Sequence, residues 1–318
     1  MGLSTPAGTA AATAPAAVRK RLDGRRFDLS GTLFRLGMLG ALAFSFLILV
    51  TLLLTIVGDG TSVLSERGTD FFQGVLRTFP DEAGIHQALR GTFWIAVFVI
   101  GLAFPIGLSA AIYLEEYAPR SRLTRFIDIN IRNLAGVPSI VYGILGFAIF
   151  VKPGQSLSFL TGGKSVITAG LTLAILVLPI VIITAAEAIR AVPNALREAA
   201  FGVGATRWET IRHHVLPYAA PGILTGTVLS LARAMGEAAP LILVGAVTGS
   251  LADPALLDLS ALKERFTAMP MLIADWAGRP QPGFRVNTAA AILVLMVIVL
   301  LANGTAIFLR NRYDKKLR

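Results

Sequence analysis

Apolar residues gather into six long blocks along this chain: Leu36–Val57, Gly91–Tyr113, Asn133–Val151, Val166–Ala186, Ala219–Leu251 and Thr288–Leu309. Each approaches or exceeds the roughly 20 residues that a helix needs to cross a bilayer. All but Ala219–Leu251, which holds Arg233 and Glu237, are free of charge. Pro105 predicts a kink in the second block, because proline deletes a backbone hydrogen bond. The pattern predicts an all-α, polytopic membrane protein with six transmembrane helices over residues 33–309. No repeat of 20–50 residues marks a solenoid.

Composition agrees with that class. Hydrophobic residues make up 54% and charged residues 15%, against about 25% charged in a soluble domain. The absence of cysteine excludes disulfides, Fe–S clusters and thiolate zinc sites. A net charge of +10 invites a nucleic-acid reading, but basic residues also set membrane orientation. Segments 1–32, 114–132, 187–218 and 310–318 together hold 18 Lys and Arg, and the alternate loops 58–90, 152–165 and 252–287 hold 9. The richer set belongs inside, so both termini are expected in the cytoplasm. Residues 1–32 read as a mobile tail, with Ser4–Ala17 low in complexity and Arg19–Arg26 basic; residues 310–318 form a second basic tail. The first block is too long for a secretory signal and reads as an uncleaved span.

The outer segments say less. Gly58–Arg90 has room for a short helix. Pro254–Trp276 suggests an amphipathic helix with Trp276 at the membrane interface, as a lid over the spans. Gly163-Lys164-Ser165 imitates the end of a phosphate-binding loop, but the first glycine of that pattern falls on Ser158 and no strand precedes it. His86 lies apart from His213 and His214, and those neighbours diverge by about 100° on a helix. No metal cage and no acid–base or nucleophilic pair emerges, so the chain reads as a non-enzyme. Its energy would come from another chain or from an ion gradient.

Glu198–Pro217 is the polar exception between two apolar blocks. Asn194 is placed to cap a short helix whose Leu196, Ala199, Ala200 and Val203 share one face. Gly204 can end it in a left-handed conformation. Thr206 and Glu209 then fit a capping box that starts a second helix, and Pro217 marks entry to the next span. Arg190, Arg197, Arg207 and Arg212 suit a lipid surface as well as a protein partner, and spacing leaves both open.

Glu198-Ala199-Ala200, Gly204, Leu216 and Pro217 resemble the EAA signature of ABC-importer permeases, with His214 in place of its isoleucine and Val215 beside it. The resemblance implies the type I importer (MetI-like) permease fold. It also implies that Glu198, Ala199, Ala200, Gly204, Thr206, Leu216 and Pro217 belong to a coupling loop, residues 187–218, seated on an ATPase subunit.

Within the fifth block, Arg233 and Glu237 are four residues apart and can pair on one helix face. A charge at the centre of a membrane helix costs about 2.5–3.5 kcal/mol, so both should avoid lipid. Gly236 and Pro240 would loosen the backbone beside them. Two readings stand: Arg233 supplies positive potential to an anion pathway that Glu237 orients, or the pair locks helices or subunits together. Gly136-Val137-Pro138 and Gly143 read as a break and a small-residue packing face, with pathway lining as the alternative.

Residues 135–143, the 232–240 stretch and the EAA segment together resemble the PstA family of phosphate-importer permeases across roughly Leu33–Leu309. That resemblance implies a heterodimer with a homologous permease, PstC, a dimer of the ATPase PstB, and an extracytoplasmic phosphate-binding protein, PstS, in a bacterial plasma (inner) membrane. ATP and magnesium would be used by PstB, with no cofactor in this chain. Arg233 and Glu237 match pathway positions of the family, and Glu187 and Arg190 are further candidates. The rivals are another oxyanion cargo (molybdate, sulfate or phosphonate), a secondary transporter, which would carry inverted repeats, and a membrane scaffold or channel.

Overall fold

A computed structural model describes residues 29–152, 161–247 and 259–317, and every regular element among them is helical. The expected tail at Ser4–Ala17, the basic run Arg19–Arg26 and residues 248–258 lie outside the described residues. Among the described residues five helices are long and apolar enough to cross a membrane, or six if one bent pair counts as a single span.

α1 (Leu29–Gln73) is longer than its apolar block at both ends and is interrupted at Gly68, with φ 46° and ψ −120°. Its polar extension takes the place of the separate short helix expected after Gly58. The extension is anchored by Gly60, Val63 and Phe71, all buried. Among the described residues, 29–55 form a unit of their own, and Ile56 onward forms the main body.

α2 (His86–Tyr117) contains two π turns, Val99–Ala103 and Tyr113–Tyr117. The first lies just before Pro105, whose missing N–H and bulky ring disrupt a regular turn; the expected kink takes this form. The third block is not one straight span. It is α3 (Arg122–Ala135) and α4 (Ser139–Val151), which meet at 99°. Pro138 is extended, at φ −55° and ψ 136°, and proline keeps the preceding residue out of the helical region. α5 (Val166–Arg190) starts where the Ser165 hydroxyl accepts the Thr168 N–H. The phosphate-loop look-alike is therefore a helix cap.

α6 (Asn194–Gly202) and α7 (Arg207–Gly236) follow. The second short helix of the loop is the first part of α7 itself, joined to the apolar part by a π turn at Ile211–Val215. Pro217 sits inside this continuous helix. The fifth block ends early, at Gly236, and a short α8 (Ala239–Leu243) begins afresh with Pro240 in its first turn. Proline has no N–H to offer the Gly236 carbonyl, so the ladder stops.

The outer segment also differs from expectation. In place of one amphipathic helix there is a 3₁₀ turn, Ser260–Lys263, and α9 (Met269–Ala277), led by Pro270. Trp276 is fully buried, its ring centroid 6.3 Å from Phe71 and 5.7 Å from Phe284. It anchors a core rather than an interface. α10 (Pro282–Leu317) continues past Leu309 through most of the basic tail.

α5 is the hub, two-thirds buried in its most apolar window and packed against α2, α3, α4 and α7. Small residues permit the closeness. A Cβ on Gly222 of α7 would lie 2.8 Å from Ala188 of α5. At this end Ala111, Ala185, Ala186, Val215 and Ala219 form a compact core that carries the polar loop. Without a large apolar driving force between helices in lipid, such van der Waals fit is what holds them.

Candidate functional site

The polar loop is built from strong local stop and start signals. α6 ends in a Schellman motif: Ala205 N–H donates to the Ala200 carbonyl at 3.1 Å and Gly204 N–H to the Phe201 carbonyl at 3.0 Å. Gly204 sits at φ +87°, where a side chain would be strained. Two residues later the capping box closes: Thr206 N–H donates to Glu209 Oε2 at 2.8 Å, and Glu209 N–H returns to the Thr206 hydroxyl at 3.3 Å. The first of these bonds holds the Glu209 carboxyl below the usual glutamate range, with the Thr206 hydroxyl helping. α6 is capped by extended Pro193, and Asn194 is its first helical residue rather than the cap.

Arg197 fixes how α6 is rotated. Its guanidinium reaches Glu116 on α2 at 2.7 Å, the Val192 carbonyl at 2.7 Å and the Ile189 carbonyl at 3.0 Å. Leu196, Arg197 and Ala200 therefore face inward, while Glu198 and Ala199 face outward, against the single small-residue face expected. Val203, also assigned to that face, is 86% exposed. Phe201 and Trp208, before and after Gly204 in the loop, are about half exposed. Leu216 and Pro217 are half-buried where the loop joins α7. The π turn turns Ile211 and Val215 fully inward and leaves His213 and His214 exposed.

Three of the four loop arginines are used inside the chain. Besides Arg197, Arg190 pairs with Glu115 at the end of α2, and the Arg207 guanidinium lies 4.9 Å from the Tyr117 ring centroid. Glu187 pairs with Arg132 of α3 at 3.3 Å, and Arg132 also holds Asp128 at 3.2 Å. The sequence reading missed Glu115, Glu116, Arg132 and Arg197 as a group. Its ion pairs between helices span 55 to 81 residues, beyond any spacing rule.

At the far end of α7, Arg233 Nε lies 3.4 Å from Glu237 Oε1, with the side chains 44% and 21% exposed. Glu237 has left the helix: it is the C-terminal cap, extended at φ −84° and ψ 114°. The pair thus marks a break, not one face of a continuous helix. The corner between α3 and α4 packs beside it, where Gly143 approaches Pro240 so closely that a Cβ would lie 2.8 Å from its Cα. Tyr142 ties that corner by donating to the Leu134 carbonyl at 2.8 Å. Glu187 and Arg190 are not brought to this pair; they belong to the loop end of α5. Among the described residues no group of three His, Asp or Glu could hold a metal ion.

Residues 103–318 match the family described as the inner membrane component of binding-protein-dependent transport systems. The chain belongs to this family. It is similar to the phosphate transport system permease protein PstA 1 of Mycobacterium tuberculosis, at 33% identity over 82% of both chains. It is also similar to a phosphate transport system permease protein PstC of Mesorhizobium japonicum, at 28% identity over 94% of this chain and 96% of that one. Among solved structures, the fold matches a chain of a bacterial alginate ABC transporter in complex with a substrate-bound periplasmic protein, with TM-score 0.62, 17% identity and coverage of 89% and 98%. A chain of the inward-facing MetNI methionine ABC transporter matches with TM-score 0.57 and 16% identity over 72% of this chain and 97% of that one. The molecule is a multi-pass permease with the type I importer fold, a member of an ABC import system. The break at α8, the bent pair α3–α4 and the loop before α7 are all within the family match.

Proposed function

We propose that this permease forms half of the path by which inorganic phosphate enters the cell, with both termini in the cytoplasm. The observation that carries the cargo is its similarity, over four-fifths of the chain, to a permease named for phosphate transport. The half-exposed Arg233 supports it, since a cation left open beside a helix break suits a passing oxyanion better than a lock buried within this chain. Glu237 would hold Arg233 in place between passages and compete with the anion for it. The other half of the path would be a homologous permease of the PstC kind.

Force would arrive through the loop 187–218. The exposed apolar Phe201, Val203 and Trp208 and the outward Glu198 and Ala199 suit docking on a partner protein. That partner is an ATPase dimer of the PstB kind, which binds and hydrolyses ATP with magnesium; this chain takes no part in that chemistry. ATP closes the dimer, α6 follows, and the path opens outward to receive phosphate from a PstS-type binding protein. Hydrolysis resets it. Arg197 and Arg190 carry the movement from the loop to the end of α2.

The test is ATP-dependent uptake of labelled phosphate into vesicles containing this chain and its three partners. Uptake that persists without the ATPase rejects the import mechanism. Transport of molybdate or sulfate in place of phosphate rejects the cargo alone.

A further inference from the structure

α3 is inverted relative to a helix on the surface of a soluble protein. Its polar residues Asp128 and Arg132 lie toward α5, where Arg132 meets Glu187. Its apolar residues point away from the chain: Leu123 is 67% exposed, Phe126 63% and Leu134 47%. Together with Ile127 they follow helical spacing along one stripe. The polar member of that stripe, Asn130, turns back and donates to the Phe126 carbonyl at 2.7 Å. None of the 14 residues of α3 is buried, and the 99° corner lays it across the direction of α4.

At the start of α3, Arg120, Arg122, Arg125 and Arg190 edge a recess of about 530 Å³ that also holds Glu115 and Asp128. Both carboxylates are taken, Glu115 by Arg190 and Asp128 by Arg132. Among the described residues Arg120, Arg122 and Arg125 have no ion-pair partner. An apolar stripe, interrupted only by Asn130, thus runs beside three cations that have no ion-pair partner among the described residues.

We infer that α3 is an interfacial helix seated on an anionic lipid surface, with Leu123, Phe126, Ile127 and Leu134 in the outer acyl region and Arg120, Arg122 and Arg125 on headgroup phosphates. A bilayer supplies hydrocarbon and negative charge along one plane, in the order this helix presents their complements. The inference rests on the membrane placement that family membership gives, and on neither the cargo nor the ATPase.

The chain has no cysteine, so single-cysteine variants can be spin-labelled without background. Phe126→Cys and Leu134→Cys are examined in the full chain, alone and in the assembled transporter, in vesicles of phosphatidylcholine and phosphatidylglycerol. Labels more accessible to oxygen than to a water-soluble nickel chelate in both states support lipid contact. Preferential access by the chelate overturns it. Protection from both reagents in the transporter alone overturns it too, because a protein then covers the stripe. In a second arm, the combined Arg120→Gln, Arg122→Gln and Arg125→Gln variant should lose its preference for spin-labelled phosphatidylglycerol over phosphatidylcholine by about fivefold or more, the weight of roughly one surface arginine. The matching lysine variant should keep it. An unchanged preference in the glutamine variant overturns the headgroup assignment.

Discussion

The two ends of α7, about 45 Å apart for a 30-residue helix, are finished in opposite ways. At its start, the chain closes every local option: a Schellman turn, a capping box, a π turn that buries Ile211 and Val215, and beside it an Arg197–Glu116 pair whose side chains are only 17% and 9% exposed. At its end, the helix simply stops at Gly236, with one 3.4 Å ion pair and a half-exposed Arg233. Burial and multiple hydrogen bonds hold the first set of charges in one geometry. The second set has a single partner and an open side, which is what the proposed exchange of that partner for an anion requires. In this permease the same residue types, Arg and Glu, act as fasteners at one end and remain available at the other.

The largest effect expected from this difference is functional. Arg233→Ala should lower phosphate uptake by about 10²-fold, the cost of removing one charge-stabilising contact, while the transporter still assembles on a native gel. Loss of assembly would instead make Arg233 a fastener like Arg197. Glu237→Gln should lower uptake less, because it leaves the cation in place.

Arg197→Ala should act on stability. It strands Glu116, nearly buried, without its partner, at a cost of about 3 kcal/mol, read as a lower unfolding midpoint. The exchange Arg197→Glu with Glu116→Arg should recover part of the loss. If Arg197→Ala unfolds no earlier than the parent, the loop end is not fastened in this way.

Thr206→Ala removes the cap hydroxyl and should cost about 1 kcal/mol, seen as faster amide exchange confined to the first turn of α7. The smallest effect is electrostatic. Because the folded Glu209 carboxyl is held below its ordinary value of about 4.3, the box contributes above that value and is lost as the pH falls through the folded pKa. Carboxyl NMR should find Glu209 titrating below an ordinary glutamate, and Thr206→Ala should raise it towards that value. Equal titration in both proteins would remove the cap from this end of the comparison.

Local signals at the loop were legible because they act within a few residues. Gly204 and the Thr206–Glu209 box read correctly from spacing alone, and so did the places of the apolar blocks, since bilayer thickness imposes their length, although the third is a bent pair and the fifth stops at Gly236. The breaks were harder. Pro138 and Pro240 announce a missing hydrogen bond, but whether a helix bends, forms a π turn as before Pro105, or ends depends on what packs beside it. Glu187 and Arg190 were further pathway candidates through the family resemblance, beside Arg233 and Glu237. Their partners, Arg132 and Glu115, are chosen by the packing of α2, α3 and α5, and no sequence spacing encodes that.

The sequence by itself determined the helical membrane class, the approximate position of each apolar helix, and the Gly204 stop and Thr206–Glu209 start that shape the loop, because hydrophobic length and cap chemistry are local properties. Only the tertiary structure decided that Trp276 anchors a core, that the third block turns through 99°, and that Arg197 is a fastener while Arg233 stays half-open. Each of those outcomes depends on which distant side chains arrive at the same place. A charge four residues from its partner can pair in any helix; whether it is then closed in or left accessible is set by neighbours that only folding brings together.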